Sequence, residues 1–398
     1  MRKVIRIFDI ILAGVCAVLM GLIAVGNGML PDSIVTYDGN EIPFSAIYSY
    51  ADTTVSDARW VDSQSANPRR RTVRLFGVVP VKDVTVTNRE TQPVYVSGQP
   101  FGIKLYTDGV IVVGTQGIDT DTKRVNPAKD AGIEVGDIIV EINGTRVYSS
   151  DQVQEILNDN NGRDFVLKIK RDGRYRAFSL KPVYDSHEGC YKAGMWVRDS
   201  TAGIGTITFF NPQAGTFGAL GHQVNDVDTN EIMPMLEGEA VGASVSKIQK
   251  GSVGSTGSLV CSFGSDTIGK LKSNTYCGVY GDFSKIPDGL KKYPVASKQE
   301  VQKGPAKIIC TVDDSGPREF DVYISRISYN KDNQQRNILL RVADKRLVAY
   351  TGGIVQGMSG SPIIQNGKLV GAVTHVIISN PQRGYGIFAQ TMLEQSDK

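Results

Sequence analysis

Histidine is scarce in this chain: His187, His222 and His375 are the only three among 398 residues. They are far apart in sequence, and the five cysteines form no Cys-x-x-Cys pair. No ligand set for a metal is visible, and no metal or other cofactor is expected. Neither sign of charge is in excess, with 44 Lys and Arg against 41 Asp and Glu and a formal net charge of +3. Apart from Arg69-Arg70-Arg71 the basic residues are dispersed. That excludes the electrostatic footprint of a nucleic-acid binder. No sustained helical period exists beyond about residue 185, which excludes a helical bundle there.

What is abundant is glycine, 43 residues, in a chain that is 41% hydrophobic. Such a chain is long enough for two or three globular units, and its glycine favours turn-rich β architecture. Residues 1–30 carry Arg2, Lys3 and Arg6 ahead of an apolar run from Ile10 to Val25. The run is long for a signal segment and close to the ~20 residues of a membrane helix, and no small-x-small cleavage site follows. An uncleaved membrane anchor is expected, with its basic end cytoplasmic and the rest exported. Cys16 lies in that anchor. Cys190, Cys261, Cys277 and Cys310 lie in the exported part, as one or two disulfides or as buried thiols.

Residues 31–94 read as a linker followed by a short β segment. The arginine cluster in it suits a solvated surface or a proteolytic nick site. From 95 to 184 the succession is distinct. Phe101-Gly102-Ile103 opens a strand, Asp108-Gly109 makes a turn, and Val110 to Val113 forms a second strand. Asn126 then caps a short helix, Ile138 to Ile142 is a strand ending at the Asn143-Gly144 hairpin, and Ser150 caps an amphipathic helix to Asn158. This order resembles a PDZ domain of the bacterial type. The resemblance implies that Phe101, Gly102 and Ile103 present backbone N–H groups to a carboxylate. A peptide, or the protein's own segment, would fill the adjoining groove as an added strand.

The remainder, 185–398, offers short β runs bounded by Gly, Asn or Pro: Ile204 to Phe210, Val322 to Ile327, Ile338 to Val342, Pro362 to Gln365 and Leu369 to Val376. A β-barrel or paired barrels fits these best. Within them stands Gly357-Met358-Ser359-Gly360-Ser361-Pro362. Glycines on both sides of Ser359 permit tight positive-φ turns, so the N–H groups of Gly357 and Ser359 can converge on one developing oxyanion. An apolar strand, the Asn366-Gly367 hairpin and a second strand follow. That order resembles the nucleophile region of chymotrypsin-like serine proteases and not the lipase elbow, where a helix follows. Ser359 is the candidate nucleophile. The base has to be a histidine, and His222, in Gly218-Ala219-Leu220-Gly221-His222, stands in the histidine-first order of that class. His187 sits in a polar linker. His375 lies on the strand that would wall a specificity pocket, where it could hydrogen-bond a polar side chain or, as imidazolium, attract a carboxylate. For the orienting acid, Asp226, Asp228, Asp266, Asp282 and Asp344 all remain open.

The stretch Thr351 to Lys368, with Gly371-Ala372-Val373-Thr374-His375-Val376, Gly384-Tyr385-Gly386-Ile387-Phe388 and the His222 segment, resembles the stage IV sporulation protein B family of serine peptidases. The resemblance implies a triad at His222, Asp344 and Ser359, and an order of anchor, PDZ domain and chymotrypsin-like β-barrel in a mainly β chain. It also implies a serine endopeptidase with self-cleavage, located in the space between the two membranes of a developing endospore. There it would cleave a membrane-bound regulatory protein and so trigger sigma-factor processing. A catalytically inactive PDZ scaffold that acts by binding is the alternative; an esterase would need a helix after the serine.

Overall fold

A computed structural model of the chain describes residues 2–37, 48–52, 69–121, 123–330 and 332–397. It is mainly β. Helix α1 spans Arg2–Met29 and exposes Ile10, Ile11, Leu12, Val15, Val18, Met20 and Val25. Among the described residues no helix is long and apolar enough to cross a membrane.

The expected linker is more ordered than its polar sequence suggests. Strands Ser33–Tyr37, Tyr48–Asp52, Arg69–Leu75 and Val79–Arg89 make a four-stranded sheet, with the first parallel to the last. Its small core is Ile34, Val73 and Val84. The arginine cluster therefore belongs to a strand, not a free linker, because Val73 and Leu75 need burial on its inner face. Pro68 and the rest of the expected linker from 53 to 68 lie outside the described residues.

Strand Pro100–Thr115 organises the middle of the chain. It pairs with Met195–Asn211 on one edge and with Glu237–Gln249 on the other. Glu237–Gln249 continues through Ser258–Thr275, Gly278–Phe283 and Thr216–Ala219 back to Met195–Asn211. These six strands close on themselves as a first barrel. Barrel closure abolishes free strand edges, and the interior is filled by Phe101, Ile103, Leu105, Ile207, Phe210, Phe217 and their neighbours. Asp108-Gly109 is not the turn its residue types suggest: the strand runs straight through it. Gly109 takes φ +110, and the pairing with Met195–Asn211 slips at Arg198/Ser200. The pair is a bulge.

Beyond that bulge the same strand enters the PDZ unit. Helix α2 (Pro127–Asp130) is capped by Asn126, whose side chain accepts from Lys129 N. Helix α3 (Ser150–Asp159) is capped by Ser149, which accepts from Gln152 N, one residue before the expected Ser150. Strands Ile138–Ile142, Phe165–Arg171 and Arg174–Leu180 complete the unit around Val110, Val112, Ile139, Val153, Phe165 and Leu167.

A second barrel closes from Gly304–Cys310, Arg318–Ile327, Ile338–Val342, Arg383–Phe388, Lys368–Val376 and Pro362–Gln365. Ile308, Phe320, Leu340, Met358, Ile363 and Phe388 lie in its interior. Helix α4 (Lys345–Thr351) leads toward the Ser359 loop, and α5 (Ala389–Ser396) packs outside the barrel. The barrels are joined by hydrogen bonds from Thr206 Oγ1 to Gly357 O, Thr208 Oγ1 to Gly360 O and Thr311 Oγ1 to Gly98 O. All five cysteines are free thiols.

Candidate active site

The seam between the barrels contains Ser359. Gly357 (φ +95) and Gly360 (φ +98) both take the left-handed backbone that the tight turn requires. At Gly360 the requirement is also steric, since a Cβ there would lie 1.9 Å from Thr206 O and 2.7 Å from Leu220 N of the first barrel. The strand leading to His222 is thereby pressed against the nucleophile turn. Ser359 O accepts from Thr206 N at 2.8 Å, and Gly360 N donates to Val373 O at 2.7 Å. The amides of Gly357 and Ser359 have no backbone acceptor among the described residues. Two unclaimed donors beside a half-buried serine are what an oxyanion hole needs. The Ser359 hydroxyl itself donates to Thr374 O at 2.7 Å.

His222 emerges just beyond the Thr216–Ala219 strand, through Gly221, where a Cβ would lie 2.8 Å from Ile387 Cγ2 and 2.9 Å from Thr374 Cγ2. Its Nδ1 lies 2.7 Å from Gln223 O. A carbonyl only accepts, so Nδ1 carries the proton and Nε2 keeps its lone pair in the neutral ring. That tautomer is the one a general base requires. Burial lowers the pKa of this imidazole below its ordinary value, against the opposing pull of the Gln223 carbonyl.

His375 stands beside it, with ring centroids 5.0 Å apart and planes tilted by 38°. Burial first, then the neighbouring His222 and Arg336, push its pKa down to about 4. Its buried Nδ1 has no hydrogen-bond partner among the described residues. That lowering favours the neutral ring over the imidazolium, the two forms considered from the sequence.

The structure sets His222 beside His375 and ties Ser359 to Thr374, the neighbour of His375 in the chain, while the bonds of Asp344 are local. Asp344 N-caps α4: its carboxylate accepts from Arg346 N at 2.8 Å, from Arg346 Nη2 at 2.7 Å and Nε at 3.1 Å, and from Asp321 N at 3.3 Å. Held first by Arg346, its carboxyl pKa falls to about 2. Among the described residues neither His222 ring nitrogen bonds to a carboxylate. Asp226 and Asp228 hold Arg198, Asp282 holds Lys272, and Asp266 lies exposed beside Ser265. His187, whose backbone N–H donates to Asp185 Oδ1 at 2.9 Å, lines a cavity of the PDZ unit beside α3.

Phe101-Gly102-Ile103 also departs from expectation. It is not a loop but the interior of the Pro100–Thr115 strand, paired to Gly205, Ile204 and Gly203 on one edge and to Gly242, Val241 and Ala240 on the other. Both edges are taken up, so no amides remain there for a peptide carboxylate, and Phe101 is a core side chain. Next to α3 the PDZ unit instead has a cavity of about 650 Å³, lined among others by Val153, Leu157, Met195, Trp196 and Val197.

Sequence reasoning missed Gln223, Gln335 and Thr374. Gln335 lies in the polar run Asn330 to Asn337, which reads as an ordinary loop, and only its burial at 8% exposure marks it.

A serine turn with free amides, seated between two six-stranded barrels, is a setting in which a serine peptidase can hold its nucleophile. The model of the SpoIVB peptidase S55 family matches residues 189–393, more than half of the 398-residue chain. The chain belongs to that family. A PDZ domain model matches residues 125–171. Among individual proteins, the chain is 28% identical over 93 residues to one described as a zinc metalloprotease from Lactococcus lactis subsp. lactis, a likeness covering 23% of this chain and 21% of that protein. Two solved PDZ domains of SdrC-like proteins are also similar. The one from Listeria monocytogenes is 23% identical, with a TM-score of 0.19, over 23% of this chain and 87% of that domain. The one from Listeria innocua is 24% identical, with a TM-score of 0.19, over 23% of this chain and 94% of that domain.

Proposed function

We propose that this serine peptidase is an endopeptidase of regulated proteolysis in endospore formation, cutting a membrane-bound regulatory protein in the space between the two spore membranes and thereby triggering sigma-factor processing. The observation that carries the chemistry is Ser359, with the unbonded Gly357 and Ser359 amides, bonded to Thr374 next to His375, which packs on His222 in its base-competent tautomer. The membership of the S55 family supports the biological setting. The exposed apolar face of α1 and its basic start support attachment to a membrane.

In this mechanism Ser359 Oγ turns from Thr374 O toward the scissile carbonyl, and His222 Nε2 takes its proton. The carbonyl oxygen gathers charge against the Gly357 and Ser359 amides, and His222 then gives the proton to the leaving amine. Water repeats the sequence to free the acyl group. The PDZ unit would hold an extended segment of the substrate, or of a second copy during self-cleavage, in the cavity beside α3.

Mass-spectrometric mapping of products from the exported fragment, alone and with a candidate membrane-protein substrate, tests the reading. Discrete internal cuts in the partner and in the enzyme itself, absent from Ser359→Ala, are expected. Intact partner together with a labelled, active serine would reject the regulatory role while leaving the peptidase.

A further inference from the structure

The outer face of the second barrel carries uncompensated positive charge beside an apolar tip. Tyr323, Arg341 and Arg383 lie side by side across three neighbouring strands, Tyr323 opposite Arg341 and Arg341 opposite Arg383. Cross-strand partners point the same way, and the flanking Leu340, Val342 and Gly384 are buried, so the row faces outward. The Arg341 guanidinium lies 5.7 Å from the centre of the Tyr323 ring. Lys345 joins Arg341, Val348 and Gln382 on the wall of a cavity of about 320 Å³. Among the described residues Arg341, Lys345 and Arg383 have no ion pair with a carboxylate, and Asp344, next to Lys345 in the chain, is held by Arg346. Arg383 also closes a tight loop: its N–H donates to Asn380 O, and its O accepts from Ile377 N. Within that loop Ile378 is 58% exposed, and its O accepts from Gly254 N of the hairpin that joins Glu237–Gln249 to Ser258–Thr275. Val253, at the tip of that hairpin, is 81% exposed. We propose that this face docks on an anionic bilayer, with Val253 and Ile378 entering the acyl boundary and Arg341, Lys345 and Arg383 meeting headgroup phosphates.

Like charges directly opposite each other destabilise a sheet, so the Arg341 and Arg383 pair costs stability until an anion lies against it. A phosphate group, with several acceptor oxygens, can take both guanidinium forks at once. A single exposed aliphatic needs no explanation. Two on adjoining loops, a few residues from three uncompensated cations, combine the apolar wedge and the basic rim with which peripheral proteins sit at the headgroup level. Tyr323, 40% exposed, adds the amphipathic ring favoured at that depth. A soluble acidic peptide would satisfy the cations and leave Val253 and Ile378 in water, whereas a bilayer satisfies both. The exposed apolar face of α1 brings a bilayer within reach of the same chain, which makes docking an intramolecular step. The Lys368–Val376 strand, which bears His375, ends two residues before Ile378. Docking would therefore bring that wall of the site toward the headgroups, where a membrane-bound partner is cut.

The docking face goes beyond attachment through α1; it rests on the membrane setting proposed above and not on the reactivity of Ser359. In the test the full chain is mixed with vesicles of neutral phosphatidylcholine and with vesicles that also contain anionic phosphatidylglycerol. Flotation reads attachment, and hydrogen exchange of segments 250–257 and 377–383, followed by mass spectrometry, reads docking. Protection of both segments on the anionic vesicles, absent on the neutral ones and weakened by salt, is expected. Each cation near an anionic surface strengthens binding roughly fivefold, so the ratio of docked to undocked chain should fall roughly 25-fold in the double variant Arg341→Gln, Arg383→Gln. The double variant Val253→Asp, Ile378→Asp should lose the protection at unchanged Tm, because both side chains are exposed. A chain that floats with both vesicles while the two segments exchange alike on each would overturn the docking face alone. A chain that floats with neither would overturn the membrane setting with it. Protection that survives loss of both arginines, or that a soluble glutamate-rich peptide produces without any vesicle, would also overturn the proposal.

Discussion

The Ser359 hydroxyl donates to the carbonyl oxygen of Thr374 at 2.7 Å and is not hydrogen-bonded to His222. The resting nucleophile is thus tied to its own barrel and must rotate about χ1 to meet its base, a step apo enzymes commonly leave to substrate binding. Ser359→Ala removes that one half-buried bond, so its stability should fall by no more than about 1 kcal/mol. Turnover should fall on the order of 10⁴- to 10⁶-fold, and fluorophosphonate labelling should vanish. A folded Ser359→Ala protein that still cleaves peptide would end the serine mechanism.

At Gly360 the two barrels are in close contact. Alanine there would strain a φ of +98 and drive its methyl into Thr206 O and Leu220 N, both backbone atoms that cannot swing aside. Gly360→Ala should therefore lose both stability, by more than about 1 kcal/mol, and probe labelling. Thermal melts and labelling of the same preparation check it. Wild-type values for either would show that the seam is looser than its contacts imply.

A substitution at Gly102 tests where the Phe101 segment belongs. In a peptide-binding loop, Gly102→Asp would impair docking and spare cleavage of a short soluble peptide. In the barrel strand, its Cβ would lie 2.5 Å from the Phe263 ring and 2.9 Å from Val241 Cγ2. Gly102→Asp should accordingly lower Tm and turnover of a short peptide together. Retained peptide turnover with lost docking would return the segment to the PDZ groove.

Two groups give stability a pH dependence in separate windows. His375, with its pKa pushed down to about 4, is neutral in the fold while the unfolded ring titrates near 6.5. Between those values the unfolded chain binds more protons, so stability falls as pH drops from about 6.5 to 4. Asp344 has its pKa lowered to about 2, and its contribution is full above its unfolded value of about 3.9 and is lost as pH falls toward 2. Tm measured across pH should slope less in His375→Gln over the upper window and less in Asp344→Asn over the lower. Parallel slopes in wild type and variants would remove these residues from the account.

The sequence by itself determined what local chemistry dictates. Glycines around Ser359 can serve only a backbone that leaves the usual φ range, and Gly357 and Gly360 do so. Apolar alternation between turn residues placed the strands Ile338–Val342 and Pro362–Gln365, because one face of each has to be buried. The Asn126 cap was equally legible, since a side-chain oxygen reaches an amide three residues on. Other assignments depended on partners remote in the chain. Phe101-Gly102-Ile103 carries the pattern of a carboxylate loop, yet strands from beyond residue 200 cover both of its edges. Asp344 has the residue type of a triad acid, but that its oxygens take bonds from Arg346 and from the distant Asp321 N is decided by the fold. Gln335 carries no local signal at all. Its place exists only once two closed barrels bring Gln223, Tyr276 and Thr374 to the same buried turn, where an amide's donors and acceptor must all find partners.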